Sequence, residues 1–195
     1  MGKQKYLLDI EQFIAKSPVV SYGSIERLVR SKKNVKQYVK QLLRNLLRQG
    51  KLKPLAKGYY TTREDISLAV YCFQPAYLGL QDALSYHGLW EQETIPVILT
   101  TKKVRRGLRT VLGSNVLVRH IDSKYYFGIV QSEDEFALPY SDPEKTLIDL
   151  VHFKQPISPE VRKEFRRKVD QKKLKKYLQS YPALTRKRVL KIIER

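Results

Sequence analysis

The stretch NVKQYVKQLLRNLLRQ, from Asn34 to Gln49, decides the fold of the first part of this chain. Its apolar side chains recur every three or four residues, which is the period of one stripe along an α-helix. Asn34 is suited to the N-cap, with Gln37 as its capping-box partner, and Gly50 is suited to a left-handed C-terminal stop. The sequence therefore predicts an amphipathic helix over Asn34–Gln49. The residues of the apolar stripe are Val35, Tyr38, Val39, Leu42, Leu43, Leu46 and Leu47.

The opposite face of this predicted helix is polar and cationic. Lysine and arginine side chains contact phosphates and guanine edges, and glutamine reads adenine. A charged face is also what a solvated bundle helix presents, so the helix alone leaves both interpretations open. The residues of this face are Lys36, Gln37, Lys40, Gln41, Arg44 and Arg48.

The neighbouring elements predict a winged helix-turn-helix DNA-binding domain over residues 1–63. Two helical patterns come first, Lys5–Ala15 and a second one capped by Ser21, and two short strands follow, Lys51–Leu55 and Gly58–Thr61. In this architecture the third helix enters the major groove of DNA and the hairpin contacts the adjacent backbone. The alternative is a small helical bundle with a β-ribbon that binds another protein.

This domain defines the predicted DNA contacts. The major-groove set is Asn34, Lys36, Gln37, Lys40, Gln41 and Arg44. The phosphate-binding set is Ser21, Tyr22, Lys32, Lys33, Lys53 and Lys57, the first two through N–H and hydroxyl groups at a helix start. We therefore expect sequence-specific binding to double-stranded DNA.

Charge falls into three blocks along the 195 residues, whose formal net charge is +19. Residues 1–63 carry 15 Lys and Arg against 3 Asp and Glu, residues 64–153 carry 8 against 12, and residues 154–195 carry 15 against 4. A positive charge of this size indicates a polyanionic partner, either nucleic acid or an acidic membrane. Because both ends are basic and the middle is not, we expect two electrostatic contact zones.

The composition also predicts the class and compartment of the protein. A hydrophobic content of 42% is enough for a packed core. Cys72 is the one cysteine, so an internal disulfide is excluded and a reducing compartment fits. The segment MGKQKYLLDIEQF lacks the apolar region of a signal peptide, and no apolar run reaches the length of a membrane span. We expect a soluble, cytoplasmic protein with no membrane partner.

The rest of the chain predicts two further segments. Residues 64–155 predict an α+β domain with a mostly antiparallel sheet, and residues 156–195 predict a basic helical C-terminal segment in which one helix starts at Ser158 and Asp170 caps the next. Predicted helices of the α+β domain are Asp65–Phe73, Leu78–Tyr86 and Lys145–Phe153, the last starting from a cap within Ser141-Asp142-Pro143-Glu144. Predicted strands are Ile95–Thr101, Arg109–Leu112, Val116–Ile121, Tyr125–Val130 and Phe136–Pro139.

Motifs for catalysis, metal or cofactor binding are missing from the sequence. His87, His120 and His152 lie far apart and have no ligand residues at metal-binding spacing. The acidic run at residues 133–135 lies between two predicted strands and is best interpreted as a turn. There is no glycine-rich phosphate loop. We therefore expect neither an enzyme nor a bound cofactor or metal, although an enzyme with scattered catalytic residues would leave no motif.

Two motifs in the middle of the chain resemble the AbiEi family of antitoxin regulators from type IV toxin–antitoxin systems. The stretch AYLGLQDALSYHGLW matches the family's "A-L-x-x-H-G-L" pattern, and DPEKTLIDLVH matches its late "E-K-x-L-h-D" helix. The resemblance covers roughly residues 5–155. The matching residues are Ala83, Leu84, His87 and Gly88 in the first motif, and Glu144, Lys145 and Asp149 in the second.

The resemblance implies two activities for this chain. One is repression of its own operon through binding of the winged helix to inverted repeats, either as a dimer or as two adjacent monomers. The other is an antitoxin activity against a nucleotidyltransferase-type toxin, without a stable complex between the two proteins. Two alternatives stay open: an RNA-binding or nucleic-acid-processing protein that uses the basic C-terminal helices, and a winged-helix module that binds a protein.

Overall fold

A computed structural model of the chain describes residues 2–29, 34–92 and 94–194. It is a mixed α+β structure, as the sequence predicts, and it divides into two compact units. The first unit comprises Met1–Cys72 with Thr110–Ser114, and the second comprises Phe73–Arg109 with Asn115–Arg195. The structure therefore groups residues 156–195 with the second unit, whereas the sequence predicted a separate segment.

The first unit contains three helices and a small sheet in its described part. The strands pair antiparallel in the order β1-β3-β2. β1 was not predicted, because a strand of two residues is too short to show an alternation of apolar and polar side chains. A 3-10 segment, Ile66–Phe73, replaces the α-helix predicted over Asp65–Phe73. The elements are α1 (Gly2–Lys16), β1 (Val20–Ser21), α2 (Tyr22–Leu28), α3 (Val35–Arg48), β2 (Lys53–Ala56) and β3 (Tyr59–Thr61).

The predicted third helix is α3, and its apolar stripe forms the centre of the core of the first unit. Val39, Leu42, Leu43 and Leu46 are buried against Ile10 of α1 and Ile25 of α2, among others. Gly50 ends the helix with a φ of 68°, as predicted. The N–H of Lys51 donates to Leu46 O at 3.0 Å and that of Gly50 to Leu47 O at 3.1 Å, which is the Schellman arrangement.

The predicted capping box at the start of α3 is wrong. Asn34 has left-handed backbone angles (φ 56°, ψ 45°), and its side chain makes no capping hydrogen bond. A capping side chain needs an extended backbone to reach back to the N–H groups of the first turn. Lys32 and Lys33, predicted phosphate contacts in the preceding loop, lie outside the described residues.

The second unit is built on a six-stranded sheet with the order β6-β7-β5-β4-β9-β8. β4 pairs antiparallel with β5, and β8 with β9, but β4–β9 and β5–β7 are parallel. The sheet is therefore mixed, and the prediction of a mostly antiparallel sheet did not include the two parallel pairings. The long connection between β4 and β9 brings the chain back so that β9 runs in the same direction as β4. The strands are β4 (Ala76–Leu78), β5 (Val97–Thr100), β6 (Gly107–Val111), β7 (Ser114–His120), β8 (Ile129–Gln131) and β9 (Pro139–Ser141).

The described part of the second unit contains five α-helices. They are α4 (Gln81–Tyr86), α5 (Pro143–His152), α6 (Pro159–Lys168), α7 (Gln171–Leu178) and α8 (Ala183–Glu194). The predicted caps of α5, α6 and α7 are confirmed, because the side chains of Asp142, Ser158 and Asp170 each accept a backbone N–H of the helix that follows.

The three last helices belong to the core of the second unit. α5 contacts α6, α7 and α8. Phe165, Leu174 and Val189, one from each of these helices, are buried in the same apolar cluster as Leu147 of α5 and Tyr77 of β4. None of the helices in the described part of the chain is long and apolar enough to cross a lipid bilayer.

Candidate nucleic-acid interface

The exposed face of α3 carries two adjacent rows of side chains. Lys36, Lys40, Arg44 and Arg48 form a row of cations spaced four residues apart, and all of them are exposed. The row spans about 18 Å at a rise of about 1.5 Å per residue. Beside it lie the amides Gln37, Gln41 and Asn45. Arg48 was not among the predicted contacts, although the four-residue spacing from Lys36 extends to it.

The cationic row lacks counter-charges among the residues that the structure describes. α3 contains no acidic residue, and within the described part of the chain none of its four cations forms an ion pair or a side-chain hydrogen bond. Like charges four residues apart cost a helix about 0.2–0.5 kcal/mol per pair. Lys36 is also in the first turn, where the helix dipole disfavours a cation. The row therefore weakens the isolated helix, and an anionic ligand would remove this cost.

The amide row offers hydrogen-bonding groups at known positions. Gln37 is exposed, and its side chain is not engaged by the cap of the helix. Gln41 Nε2 donates to Asn45 Oδ1 at 3.1 Å, which restrains the carboxamide of Gln41. The Oε1 acceptor and the second amide hydrogen of Gln41 stay available, and this pair of groups is what a bidentate contact to adenine needs.

Ser21 and Tyr22 use their polar groups inside the protein. Ser21 Oγ accepts the N–H of Ser24, and Ser24 Oγ accepts the N–H of Ser21, both at 3.0 Å, in a capping box. Tyr22 N–H donates to Gly58 O at 2.8 Å and its hydroxyl donates to Lys36 O at 3.2 Å. Neither residue keeps the groups that were predicted to bind phosphate. Tyr22 instead fixes the β2–β3 turn and the start of α3 relative to each other.

The lysines near the β2–β3 hairpin differ in their surroundings. Lys53 is half-buried and forms an ion pair with Glu64, and Lys51 pairs with Glu11 at 3.2 Å. Lys57, in the turn between the strands, is exposed and has no such partner among the described residues. The structure thus brings Asn34, the α3 residues and Lys57 to the surface of one unit, while Lys53 is already partly neutralised.

In the second unit, the residues of the late motif form a buried polar network. Lys145 and Asp149 lie on successive turns of α5 and form a fully buried ion pair. The hydroxyl of Tyr77 donates to Asp149 Oδ2 at 2.7 Å and accepts from Lys145 Nζ at 2.8 Å. Burial lowers the pKa of Lys145, against the opposing effect of Asp149, and burial followed by the Asp149 charge raises the pKa of Tyr77 well above its usual value.

A second polar cluster connects the start of α5 to α7. The Tyr177 hydroxyl donates to Asp142 Oδ2 at 2.9 Å, and Lys173 Nζ lies 3.1 Å from Asp142 and 3.0 Å from Glu144. Burial and then the bond to Asp142 raise the pKa of Tyr177 to about 12. Burial lowers the pKa of Lys173, but its bonds to Glu144 and Asp142 outweigh burial and raise it.

The two clusters join elements of the second unit, β4 to α5 and α5 to α7. Lys145 and Asp149 are inaccessible to solvent. His87 Nε2 contacts the Ser141 carbonyl oxygen at 2.6 Å and thereby joins the end of α4 to β9. Among the described residues no group of His, Cys, Asp and Glu side chains is arranged to hold a metal ion. The residues 133–135 lie in the connection between β8 and β9, where Asp134 Oδ1 accepts the N–H of Phe136.

Comparisons with known proteins support the fold. No protein-family model matches the chain, and no curated protein matches its sequence. The structure is similar to the crystal structure of the RV2827C protein from Mycobacterium tuberculosis, with a TM-score of 0.62 and 16% sequence identity. The similarity covers 97% of this chain and 76% of that chain.

Proposed function

We propose that the chain is a sequence-specific, double-stranded DNA-binding repressor and that its first unit is a winged helix-turn-helix. In this proposal α3 is the recognition helix, α1 and α2 support it, and the β2–β3 hairpin is the wing. The observation that carries the proposal is the exposed face of α3, where a row of cations without ion-pair partners among the described residues lies beside a row of amides.

The two rows match the two kinds of contact that a recognition helix makes. Lys36, Lys40, Arg44 and Arg48 would meet phosphates and guanine edges, and Gln37 and Gln41 would read base edges in the major groove. Lys57 at the tip of the hairpin would bind the adjacent backbone. The hydrogen bonds of Tyr22 to Gly58 and Lys36 support this arrangement, because they hold the hairpin and the recognition helix in one geometry.

A selection from a pool of random duplexes tests the proposal. The wild-type protein is expected to enrich one sequence motif at physiological salt. Enrichment without any motif would contradict the proposal and would favour the alternative that the basic surface binds nucleic acid non-specifically, and the absence of enrichment would favour a protein-binding module. Competition of the selected duplex against structured RNA separates DNA binding from RNA binding.

We further propose that the chain acts as the antitoxin of a type IV toxin–antitoxin system and represses its own promoter. This proposal rests on the resemblance of two motifs to the AbiEi family. Most of the matching residues are buried, among them Ala83, Leu84, Lys145 and Asp149, and they support the core of the second unit. The surface that counters a toxin would therefore consist of other residues of this unit.

Growth of cells tests the antitoxin activity. Cells that express a nucleotidyltransferase-type toxin encoded beside this gene are expected to resume growth when this chain is produced with it. Growth arrest that persists at equal expression would contradict the antitoxin proposal. DNA binding, measured by the selection from random duplexes, would be unaffected by that result.

A further inference from the structure

A basic groove runs between α6 and α8 on the second unit. It consists of two adjoining concavities of about 310 Å³ and about 270 Å³, which share Arg162, Arg188 and Ile192. Arg166 and Lys191 line the first concavity, and Lys154 lines the second. None of the residues that line the two concavities is acidic, and all five of the cations are exposed.

Two of the arginines in the basic groove are held in fixed positions. Arg162 Nε donates to the carbonyl oxygen of Ile157 at 3.1 Å, and Arg166 Nε donates to that of Ile192 at 3.0 Å. Each guanidinium is thus anchored through its inner nitrogen, while its two terminal nitrogens have no partner among the described residues. Terminal guanidinium nitrogens are the groups that bind phosphate oxygens.

Charge repulsion within the basic groove indicates an anionic ligand. Arg162 and Arg166 are four residues apart, and Arg188 and Lys191 are three apart, so each pair repels along its own helix. A carboxylate would relieve this repulsion, and α6 does carry Glu160 and Glu164. Both of them line a different concavity beside Trp90, so that α6 presents acids on one side and arginines on the other.

We propose that the basic groove binds the phosphate backbone of duplex DNA, outside the bases that α3 reads. This inference rests on the proposed function and adds a second contact zone to it. No aromatic side chain lines the basic groove, so it lacks the stacking platforms that single-stranded nucleic acid needs. An acidic protein partner would need an apolar interface centre. Of the apolar residues that line the basic groove, Val151, Ile157 and Ile192 are half-buried and Pro156 alone is exposed.

Two double variants of α8 in the full-length protein test this inference. Arg188→Ala/Lys191→Ala removes two cations from the basic groove, and neither side chain makes a hydrogen bond within the described part of the chain. Arg186→Ala/Lys187→Ala is the matched control, since it removes one arginine and one lysine from the same helix but outside the groove. Thermal unfolding of both variants verifies that each is folded.

The readout is the salt dependence of binding to a DNA duplex that carries the selected sequence with additional base pairs on both sides of it. The groove variant is expected to reduce the slope of log K against log salt by about two, and the control by less than about half a unit. Preference for the selected sequence over a scrambled duplex is expected to persist in both. Equal slopes in the two variants would overturn this inference but not the proposed function. An acidic protein as the natural occupant of the basic groove would give that result. A wild type without DNA affinity overturns the proposed function as well.

Discussion

At the scale of single residues, Lys53 and Lys57 illustrate how an ion pair changes an expected contact. Both were predicted to bind phosphate because both belong to the hairpin. Lys53 pairs with Glu64, so a phosphate would have to displace a carboxylate, whereas Lys57 is exposed without such a partner among the described residues. The sequence could not reveal this difference, because Glu64 lies eleven residues after Lys53 and approaches it only in the fold.

The replacement Lys57→Ala is expected to weaken binding to all duplexes equally and to reduce the salt slope by about one unit. Lys53→Ala is the matched comparison and is expected to have a smaller effect, because Glu64 already neutralises that lysine. Fluorescence anisotropy with the selected and a scrambled duplex, over a series of salt concentrations, measures both quantities. A larger loss in Lys53→Ala than in Lys57→Ala would contradict this assignment.

Asp149 is the residue on which the buried network of the second unit depends. It accepts hydrogen bonds from Lys145 and Tyr77, and the Tyr181 hydroxyl lies 3.4 Å from it. The sequence placed it in a predicted helix and in the motif that resembles the AbiEi family, but could not show the buried network, because Tyr77 and Tyr181 approach it from distant parts of the chain.

The replacement Asp149→Ala would leave the Lys145 cation buried without its partner. We expect it to lower the free energy of unfolding by roughly 3–5 kcal/mol, whereas replacing both members with apolar residues, as in Lys145→Met/Asp149→Leu, should cost less. Urea denaturation measures these differences, with Glu133→Ala at an exposed acidic position as the control. A single variant as stable as the control would show that the pair does not support the core.

At the scale of elements, prediction succeeded where one pattern was long and local. α3 was predictable because seven apolar residues repeat over more than three turns, and the caps of α5, α6 and α7 because a cap involves only neighbouring residues. Ala76–Leu78 was partly assigned to a helix, since a short apolar run does not distinguish a buried strand from a helix. The parallel pairing of β4 with β9 depends on contacts between distant segments, so no local pattern contains it.

The candidate site was likewise only partly predictable from the sequence. The exposed face of α3 followed from helical periodicity alone. The hydrogen bonds of Ser21 and Tyr22 did not follow from periodicity, because their partners lie in the capping box, the hairpin turn and the first turn of α3. The basic groove requires α6 and α8 to pack side by side, which the charge pattern of either helix does not show.

The stop of α3 at Gly50 leads to a prediction about stability. Gly50 has a φ of 68°, and a Cβ added there would meet no atom within 4 Å, so the cost of Gly50→Ala is backbone strain alone. We expect a loss of about 1–2 kcal/mol in the free energy of unfolding. Gly23→Ala, at a helical position of α2 where an added Cβ makes ordinary contact, is the control and is expected to be neutral or stabilising by about 0.4–1 kcal/mol. Equal effects of the two substitutions would contradict the role of Gly50.

At the scale of the whole molecule, acid is expected to destabilise the fold through two half-buried histidines. Burial lowers the pKa of both His87 and His152 below 6.5. Near His87, the charges of Asp142 and Glu144 only partly oppose this lowering of the pKa, and the charge of Lys168 adds to it. As the pH falls through 6.5, the unfolded chain binds protons that the folded chain does not, so the folded state loses stability. Urea denaturation at pH 7.5 and 5.5 measures this, at constant ionic strength. Unchanged or higher stability at the lower pH would contradict the expected burial of these side chains.

The charge distribution gives the molecule two basic surfaces with different expected tasks. α3 combines cations with amides, which suits the reading of bases, whereas the basic groove has five cations and one amide, Gln155, along its lining. Variants of the two surfaces should therefore separate sequence preference from total affinity. This separation would not occur if the net charge of +19 acted only as a diffuse attraction for polyanions.

The central claim is that α3 reads bases, and the ratio of affinities for the selected and a scrambled duplex tests it most directly. Gln37→Ala/Gln41→Ala is expected to lower this ratio, by the equivalent of roughly 1–3 kcal/mol of binding free energy for each bidentate contact that is lost. The affinity for the scrambled duplex is expected to stay the same. The control is Gln171→Ala/Gln179→Ala, which removes two exposed amides from α7 and its C-cap and should leave the ratio unchanged. A ratio in the α3 variant equal to that of the wild type would contradict the account.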